Sequence, residues 1–393
     1  MSVLADVLAR ADARAAQRLH SVNDARHVAR KRLPSVVFDY IDGAADDELT
    51  MRRNEAAFAS ITFRQKLGVG RIVPNLRTSV VGRVVDLPVL LAPCGLARLM
   101  HADGAVGVAR AAASRGTVSV LSTVAGSPVE TVAAASSMPL WFQLYAAGGL
   151  PEADALCDRA LAAGVEALVI TLDTPALGNR ERDVRHGVAP PLRVEARNAA
   201  PLGAQVLMRP RWAAQLAATG VRLSRRGVGP AGRGGGLLSS VASPFSWDDV
   251  IHLRKRWPGP VLVKGVLSGE DARRAVDAGA DAVVVSNHGG RQLDGAPATL
   301  DVLPDVVAAV GMDADVLVDG GVRRGAHVVA ALAMGARAVL VGRPYLFGLA
   351  AAGERGVERI LDIFRAEMLR TMTLMGCPSV TELGPDWLAA PAR

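Results

Sequence analysis

The sequence repeats one alternation eight times: a short apolar run, then a stretch whose apolar residues, many of them alanine, recur at helical spacing. Most of these stretches end in glycine, the usual stop signal of a helix. The runs are apolar throughout, which is typical of parallel strands covered on both faces. They occupy residues 87–93, 118–123, 140–145, 167–173, 260–265, 282–287, 315–321 and 338–343. Eight strand–helix units predict an α/β fold, a single closed (β/α)8 TIM barrel, with the first 80 or so residues as an N-terminal helical cap.

A long insertion interrupts this rhythm after the fourth strand, since 87 positions separate Asp173 from Pro260. Its central part, about residues 185–245, contains nine arginines and a single acid, Glu195, together with the glycine-rich sequence GPAGRGGG. We expect a long, mobile insertion over the mouth of the barrel, because the connections that follow barrel strands lie on that face.

The net charge of +7 comes from that insertion, and the rest of the chain is close to neutral. A nucleic-acid-binding domain would spread basic residues over a folded face, so we expect no nucleic-acid partner. The cysteines Cys94, Cys157 and Cys377 lack metal-ligand spacing, which predicts a reducing compartment, no disulfide framework and no metal site. There is no run of 18 apolar residues and no secretory signal at the N-terminus. A cytoplasmic protein is therefore expected.

Polar residues follow nearly every predicted strand. In chain order they are Cys94 and Gly95, Ser122, Gln143 and Tyr145, Thr171 and Asp173, Lys264, Ser286, His288 and Arg291, Asp319, Gly320, Gly321 and Arg323, and Gly342 and Arg343. Because the C-terminal ends of barrel strands converge on one face, these residues are predicted to form one site.

The sequences DGGVRRG after the seventh strand and GRP after the eighth predict a phosphate site. Their glycines allow backbone N–H groups to approach an anion closely, and their arginines can bind phosphate oxygens with two hydrogen bonds. Both sequences fall where barrels usually hold a phosphate. The competing interpretation is that the glycines are turn residues and the arginines are solvated.

His288 and Asp173 follow the sixth and fourth strands, and a carboxylate beside an imidazole raises its basicity. Arg291 and Arg180 can each clamp a carboxylate with two hydrogen bonds. Together these four residues would hold an acid and deprotonate it. Lys264 would either stabilise negative charge beside a cofactor or form a structural ion pair.

With these residues assembled, the chain resembles the FMN-dependent α-hydroxy-acid dehydrogenase and oxidase family, which includes glycolate oxidase, bacterial quinone-linked L-lactate dehydrogenase and mandelate dehydrogenase. The most specific motif is SNHGGRQLDG, supported by RLPSVVFDYIDGAADDE, WFQLY, ITLDTPALGNRERD, LVKG and DGGVRRG. The resemblance covers roughly residues 22–385. It implies one FMN hydroxy-acid dehydrogenase domain at 22–393, preceded by an N-terminal extension at 1–21.

The resemblance also implies roles for individual residues. His288 would be the catalytic base oriented by Asp173. The substrate-binding residues would be Tyr40, Tyr145, Arg180 and Arg291. The residues implied to bind FMN are Pro93, Cys94, Gly95, Ser122, Gln143, Thr171, Lys264 and Ser286, with Asp319, Gly320, Gly321, Val322, Arg323, Gly342 and Arg343 toward the ribityl chain and phosphate.

The reaction implied is the oxidation of an L-2-hydroxy acid to the 2-oxo acid. His288 would accept the α-hydroxyl proton while the α-hydrogen leaves to flavin N5 as hydride. A carbanion route, in which the same base removes the α-hydrogen, stays open. Lys264 would offset the negative charge that grows on the flavin.

Three departures within the resemblance concern the cofactor, the substrate and the electron acceptor. Cys94 replaces the family's usual threonine, and we expect this change to be tolerated because the flavin contact there is mainly through backbone. Gly95 matches the lactate and mandelate dehydrogenases, whereas glycolate oxidase carries alanine, which favours a dehydrogenase that passes electrons to a quinone or other acceptor. Val124 replaces a tryptophan of glycolate oxidase, which predicts room for lactate, mandelate or a longer acid. The alternative is an oxidase that uses O2 and produces H2O2.

The insertion bears on localisation. The sequence VLMRPRWAAQLAATGVRLSRR at 206–226 mixes apolar residues with arginines, as an interfacial helix does. The resemblance to membrane-associated members implies peripheral contact with the inner face of the cell membrane, and a solvated loop over the active site is the alternative. The resemblance also implies a homotetramer.

Two further functions compete with this interpretation. A flavin-binding barrel without turnover would act as an interaction protein, but the presence of His288, Arg291, Asp173 and both tyrosines argues against it. A flavin-free phosphate-binding barrel, such as a sugar-phosphate isomerase or aldolase, would purify without colour.

Overall fold

The computed structural model describes residues 3–187, 196–218, 221–224, 227–230 and 244–389. At its centre is an eight-stranded parallel sheet whose strands, labelled β1 to β8 in chain order, coincide with the eight apolar runs. Their bounds are β1 Val89–Leu91, β2 Val120–Ser122, β3 Trp141–Leu144, β4 Ala167–Thr171, β5 Val261–Val266, β6 Ala282–Val285, β7 Asp315–Val318 and β8 Ala338–Val341.

The sheet closes on itself. In hydrogen-bonding order the strands run β1, β8, β7, β6, β5, β4, β3 and β2. A parallel bridge between Leu91 of β1 and Ser119, just before β2, joins the two ends, and the Leu91 N–H donates to the Val118 carbonyl at 3.0 Å. The predicted (β/α)8 barrel is confirmed.

Alternate residues of the strands point inward and outward, so the sheet separates two apolar cores. A hairpin of strands Thr78–Val80 and Arg83–Val85 adds Val80 and Val85 to the interior core. Arg83 of this hairpin pairs with Glu166, which also accepts the indole N–H of Trp141 at 3.2 Å. The hairpin fills the N-terminal end of the barrel, which leaves the C-terminal end for a site.

Helices cover the outside of the barrel. Within the described residues they are Gly104–Ser114, Val129–Ala135, Leu150–Ala162, Trp247–Arg256, Gly269–Asp277, Thr299–Val310, Gly325–Ala333 and Arg343–Met375, with short 3-10 turns at Ala97–Leu99, Val380–Glu382 and Pro385–Trp387. The last helix is interrupted at Ala352 and Gly353, where the φ of Gly353 is 58°. The alanine-rich stretches therefore fold as expected.

The N-terminal cap is helical, as predicted. Its helices are Val3–Gln17, Val22–Arg32, Ser35–Asp42 and Leu49–Ala59. Asp12 pairs with Arg32 at 3.1 Å and with His101 at 3.2 Å, and Leu19 is fully buried. The described part of the expected extension at 1–21 is thus packed onto the rest of the fold.

The insertion after β4 contains regular structure where it is described. Its elements are the helices Glu181–Arg185, Ala196–Leu207 and Pro210–Ala218 and the antiparallel strands Val221–Ser224 and Gly227–Pro230. Trp212 is buried, and its indole N–H donates to the Leu99 carbonyl at 2.7 Å. Residues 196–218 therefore differ from the expected mobile loop, because two helices form and one is anchored on the barrel.

The structure also differs from the single interfacial helix predicted at 206–226. It is broken between Leu207 and Pro210, and its tryptophan points into the protein. Arg193, Arg225, Arg226 and Arg233 and most of the glycine-rich sequence lie outside the described residues. Among the helices of the described ranges, none combines the length and apolar character needed to cross a membrane.

Helix Leu49–Ala59 of the cap is tied to the loop after β6. Asp294 of that loop accepts the N–H groups of the first two helical residues at 3.1 and 2.7 Å, so it caps the helix. Further along, the buried side-chain amides of Asn54 and Asn287 donate to each other at 2.8 and 2.9 Å. The cap and the loop therefore share one hydrogen-bonded seam.

The same helix explains two glycines in the loops below it. A Cβ on Gly290 would lie 2.6 Å from the Met51 nitrogen, and one on Gly321 would lie 2.4 Å from the Asn54 carbonyl oxygen. Both glycines also have positive φ angles, 76° and 82°. Glycine is required at these positions by close packing of the cap as well as by the turns.

Replacing Asn54 with alanine should destabilise the protein. The change removes the two hydrogen bonds with Asn287 and the acceptor of the buried Thr299 N–H, which costs about 2 kcal/mol. We expect a lower midpoint of thermal unfolding for Asn54→Ala, measured by circular dichroism. The exposed Arg52 on the same helix provides the control, since Arg52→Ala should change stability by less than about 0.5 kcal/mol. Equal midpoints for the two variants would contradict the role of the seam.

Candidate active site

One cavity lies at the C-terminal end of the barrel, where the predicted site residues converge. Those that line it are Tyr40, Pro93, Cys94, Gly95, Ser122, Tyr145, Arg180, Lys264, His288, Arg291, Asp319, Gly320, Gly321, Val322, Arg323, Gly342 and Arg343. Gln143, Thr171, Asp173 and Ser286 do not line it. The apolar lining at Ile41, Ala92, Leu340, Val341 and Leu346 was not predicted, because these residues carry no chemical signal in the sequence.

His288 is held in an unusual backbone conformation. Its φ is 58°, and Gly289 and Gly290 follow with φ of 65° and 76°. The left-handed region is costly for a residue with a Cβ, by about 1 kcal/mol or more. The turn is held by the Ser286 hydroxyl, which accepts the His288 N–H at 3.1 Å, and by Asn287, whose side chain accepts the Gly290 N–H at 3.2 Å. The two glycines let the chain turn so that the imidazole enters the cavity.

The imidazole pairs with Asp173. Nδ1 of His288 lies 3.1 Å from each carboxylate oxygen of Asp173, and Nε2 lies 3.4 Å from the Tyr145 hydroxyl. Burial lowers the pKa of His288 below its usual 6.5, although Asp173 acts to raise it. Burial opposes ionisation of Asp173, but His288 and Lys264 hold its pKa below 3.8. Because a carboxylate can only accept, Nδ1 carries the proton and Nε2 is free to accept another.

Arg180 and Arg291 form no ion pair with a carboxylate among the described residues. Arg291 donates to the backbone carbonyls of Tyr40 and Gly43 at 2.7 and 2.9 Å. Nε of Arg180 is buried without a hydrogen-bond partner in the described part of the chain. Burial, reinforced by Arg291, lowers the pKa of Arg180 to about 10. The buried Arg180 and the half-buried Arg291 repel each other, an arrangement that suits the binding of a small carboxylate.

Lys264 is held by two partners at the edge of the cavity. Its ammonium donates to the Ser286 hydroxyl at 2.6 Å and pairs with Asp319 at 3.0 Å. Burial opposes the charge, but Asp319 and Asp173 raise the pKa of Lys264 above 10.5. Lys264 therefore forms the ion pair of one alternative, and it also lines the cavity, as the role beside a cofactor requires. Ser286 does not line the cavity, but its hydroxyl accepts hydrogen bonds from the Lys264 ammonium and the His288 N–H and so orients both.

Several buried polar atoms near the cavity have no hydrogen-bond partner within the described residues. They include Nε2 of Gln143, Oγ1 of Thr171 and Oδ1 of Asp319. Oε1 of Gln143 is already satisfied by the Ser122 hydroxyl at 2.9 Å. Buried polar groups are rarely left unpaired, so these atoms indicate a polar ligand. FMN has a polar ring edge and a hydroxylated chain that would satisfy them, so the residues present fit this cofactor.

The far end of the cavity is suited to a phosphate. Gly320 and Gly321 have positive φ angles of 89° and 82°, and Arg323 pairs with Glu55 at 2.9 Å. Arg343, predicted to contact the phosphate, lines the cavity while its guanidinium donates to three backbone carbonyls at 2.7 to 3.1 Å. Burial and neighbouring arginines lower the pKa of Arg343 to about 9. This end of the cavity is therefore rich in positive charge.

Sequence reasoning missed two supporting residues. Gln292 donates to the carbonyls of Asp173 and Ala176, each at 2.8 Å, and so holds the segment that carries the carboxylate. Its position directly after Arg291 was the available signal. Asn54 carried no signal, because its partner lies 233 residues away.

The comparisons with known proteins agree with this geometry. A family model described as FMN-dependent dehydrogenase matches residues 29–390. The chain is 42% identical to an L-lactate dehydrogenase of Chromohalobacter salexigens over 93% of this chain and 94% of that protein. It is 40% identical to an L-lactate oxidase of Nostoc sp. over 92% and 95%. The crystal structure of the monotopic membrane protein (S)-mandelate dehydrogenase superposes with a TM-score of 0.87 at 37% identity, covering 95% of this chain and 99% of that one.

The pKa of His288 should respond to Asp173. We expect the wild-type imidazole to titrate below 6.5, and Asp173→Asn to lower its pKa further, because the carboxylate that favours the imidazolium is removed. NMR of protein labelled on its histidine rings measures both values. Asp154→Asn is the matched control, since Asp154 contacts the exposed His252 and should leave the His288 resonances unchanged. A higher His288 pKa in Asp173→Asn would refute the assignment.

Proposed function

The chain belongs to the FMN-dependent dehydrogenase family, and from this premise we propose that it oxidises an L-2-hydroxy acid of the lactate or mandelate type with His288 as the base. It is an FMN-dependent oxidoreductase that converts 2-hydroxy acids into 2-oxo acids. The observation that supports the proposed site is the pair Arg180, which is buried, and Arg291, which is half-buried. Both lack a carboxylate partner among the described residues and line the same cavity as a neutral imidazole.

The arginines would bind and orient the substrate. A carboxylate bound between Arg180 and Arg291 receives charge-assisted hydrogen bonds and relieves the repulsion between the two cations. Tyr40 lies beside them, with its ring 5.1 Å from the Arg291 guanidinium carbon, and its hydroxyl is available to the same carboxylate. A fixed carboxylate determines which face of the α-carbon is presented to the cofactor.

His288 would remove the proton of the substrate hydroxyl. Its Nε2 faces the cavity beside Tyr145, and Asp173 stabilises the imidazolium that forms. Burial and Asp173 raise the pKa of Tyr145 well above 10, so this phenol stays protonated and can donate to the substrate oxygen. If the α-hydrogen left as a proton instead, the same Nε2 would accept it.

The cofactor would be held by the remaining cavity residues together with Gln143 and Thr171, which do not line the cavity but have polar atoms near it that lack a partner among the described residues. Residues Pro93 to Gly95 with Ser122, Gln143, Thr171 and Lys264 would hold the ring system, and Asp319 to Arg323 with Gly342 and Arg343 the ribityl chain and phosphate. When bound, FMN supplies the acceptor for the hydride from the α-carbon. Lys264 would offset negative charge near the ring, and Ser286 would keep its ammonium in place.

Gly95 supports a dehydrogenase that uses a quinone or another acceptor. A Cβ at this position would lie 3.1 Å from both the Tyr40 hydroxyl and a methyl group of Val124. Glycine therefore keeps open the space between the cap and the barrel beside the predicted ring site. The second candidate is an oxidase that passes electrons to O2, and the 40% identity to the Nostoc L-lactate oxidase favours it.

We also propose a cytoplasmic homotetramer that contacts the inner face of the cell membrane peripherally. Leu207 and Met208, at the junction of two insertion helices, are 82% and 64% exposed, and Arg209 and Arg211 follow them. Exposed apolar side chains next to cations suit a surface of anionic lipid. Trp212 takes no part in this contact because it is buried against the barrel.

Loss of His288 should slow reduction of the flavin, and loss of Arg291 should weaken binding of the acid. We expect His288→Ala to remain yellow but to bleach about 10²- to 10⁴-fold more slowly with the preferred acid under anaerobic conditions, because the base is absent. Arg291→Ala should bind the acid about 10- to 100-fold more weakly. Stopped-flow absorbance with lactate, mandelate and longer 2-hydroxy acids measures both effects. His252→Ala, at an exposed histidine outside the cavity, is the control, and near-normal bleaching in His288→Ala would refute the proposed base.

The same experiment identifies the acceptor. Oxygen or a soluble quinone is added to the bleached wild-type protein, and the return of the yellow colour is timed. A dehydrogenase regains its colour rapidly with the quinone and slowly with oxygen. Fast reoxidation by oxygen would favour the oxidase.

The membrane contact should depend on the exposed apolar pair. We expect the wild-type protein to sediment with vesicles of anionic phospholipid, and the double variant Leu207→Glu/Met208→Glu to stay in solution, because the carboxylates repel the lipid headgroups. Met312→Glu, at a residue that is 96% exposed elsewhere on the surface, is the control. Equal sedimentation of all three proteins would contradict this contact.

A further inference from the structure

His327 lies directly behind the loop Asp319–Arg324 that follows β7. It is the third residue of helix Gly325–Ala333, and its Nδ1 accepts the backbone N–H of Arg323 at 3.2 Å. A backbone N–H can only donate, so Nδ1 must be unprotonated for this hydrogen bond to form. The same type of hydrogen bond, from a backbone N–H before a helix to the third helical side chain, occurs elsewhere in the chain: Asp249 accepts the N–H of Ser246 at 2.7 Å. Because the side chain of histidine is longer than that of aspartate, His327 reaches the N–H of Arg323, one position before the N-cap residue Arg324.

The imidazole ring is fixed by the cap. It stacks on Phe58 of helix Leu49–Ala59, with the ring centroids 4.9 Å apart and the planes 7° from parallel. Phe58 itself is buried. The hydrogen bond to the Arg323 N–H is therefore made by a ring that the cap holds in one orientation.

A second residue, Glu367, holds the end of the same loop where it joins the helix. Glu367 of the long C-terminal helix accepts the Gly325 N–H at 2.7 Å and pairs with Arg324 at 2.8 Å. The loop is thus held at two points, by His327 at Arg323 and by Glu367 at Gly325. Of these two acceptors, the imidazole is the one that loses its acceptor atom between pH 5 and pH 8.

The charges that act on His327 come from two elements. Arg323 and Arg324 belong to the loop before its helix, and Glu367 belongs to the long helix. The backbone of Gly321, in the same loop, supplies a further hydrogen bond. Burial lowers the pKa of His327 below 6.5, and the two arginines add to this effect, whereas Gly321 and Glu367 oppose it. At neutral pH the ring is uncharged and can accept. As the pH falls through this pKa, Nδ1 takes up a proton and can no longer accept the Arg323 N–H.

We propose that His327 is a positioning residue that holds the cofactor-phosphate loop in its binding conformation only while its imidazole is neutral, so that FMN is retained less tightly at acidic pH. This rests on the placement of the FMN phosphate at residues 319–323 in the proposed function. His327 acts through the Arg323 backbone, not through contact with the cofactor, since it does not line the cavity.

Two variants separate the hydrogen bond from the ring stack. His327→Gln keeps an acceptor, does not titrate and removes the stack on Phe58. His327→Phe keeps the stack and removes the acceptor. We expect His327→Phe to bind FMN about fivefold more weakly at pH 8, the equivalent of a hydrogen bond worth about 1 kcal/mol. We expect His327→Gln to bind FMN about as tightly as the wild type.

The dissociation constant of FMN from each holoprotein is measured by flavin fluorescence between pH 8 and pH 5.5. The FMN phosphate itself gains a proton in this range, which affects all proteins alike, so His327→Gln is the baseline. The wild type should weaken about fivefold more than His327→Gln as the pH falls. Parallel curves for these two proteins would overturn the pH dependence. Normal FMN affinity in His327→Phe with weakened affinity in His327→Gln would mean that the ring only packs.

Two further measurements distinguish this proposal from the cofactor placement on which it rests. Riboflavin, which lacks the phosphate, should bind equally to all the His327 variants, and a common loss of riboflavin affinity would show a general disturbance of the fold instead. Arg323→Ala should weaken FMN but not riboflavin. If Arg323→Ala binds FMN normally, the phosphate lies elsewhere and the proposed placement fails, whatever the His327 variants show.

Discussion

The close approach of helix Leu49–Ala59 to the loops after β6 and β7 determines how the site is assembled. The helix is tied to the first loop by the amide pair of Asn54 and Asn287 and is close enough to both loops to require glycine beneath it. One loop carries the imidazole and a guanidinium, and the other carries the glycines at the phosphate end. The relative position of base and cofactor site therefore depends on a cap that lies outside the barrel.

The cavity combines a surplus of buried positive charge with a neutral base. Among the described residues, Arg180 has no carboxylate partner, and Arg291 and Arg343 donate to backbone carbonyls. Arg323 is the lining arginine that pairs with a carboxylate, that of Glu55. Burial lowers the pKa values of Arg180 and Arg343. Such a site is costly without anions and is suited to a substrate carboxylate and a phosphate. The same burial lowers the pKa of His288, so that one physical effect favours an anion in the cavity and keeps the proposed base unprotonated.

Where the structure departs from expectation, the cause is packing between distant segments. The insertion was expected to be mobile, but Trp212 reaches the Leu99 carbonyl and anchors a helix there. The Ser286 hydroxyl, predicted to contact the cofactor, accepts a hydrogen bond from the Lys264 ammonium, a contact that the sequence did not reveal. Neither contact has a local signature, because each joins residues that lie far apart in sequence.

The eight strands, the barrel and the strand ends that carry chemistry could be predicted from local patterns in the sequence: apolar runs, glycine stops and polar residues at the ends of strands. The type of reaction was implied by the family resemblance that SNHGGRQLDG carries. Three contacts could be seen only in the folded protein: Asp294 caps a helix of the N-terminal cap, Asn54 pairs with Asn287, and His327 accepts the Arg323 N–H. Each of these depends on the distance and orientation of groups brought together by folding, which composition and spacing along the chain do not encode.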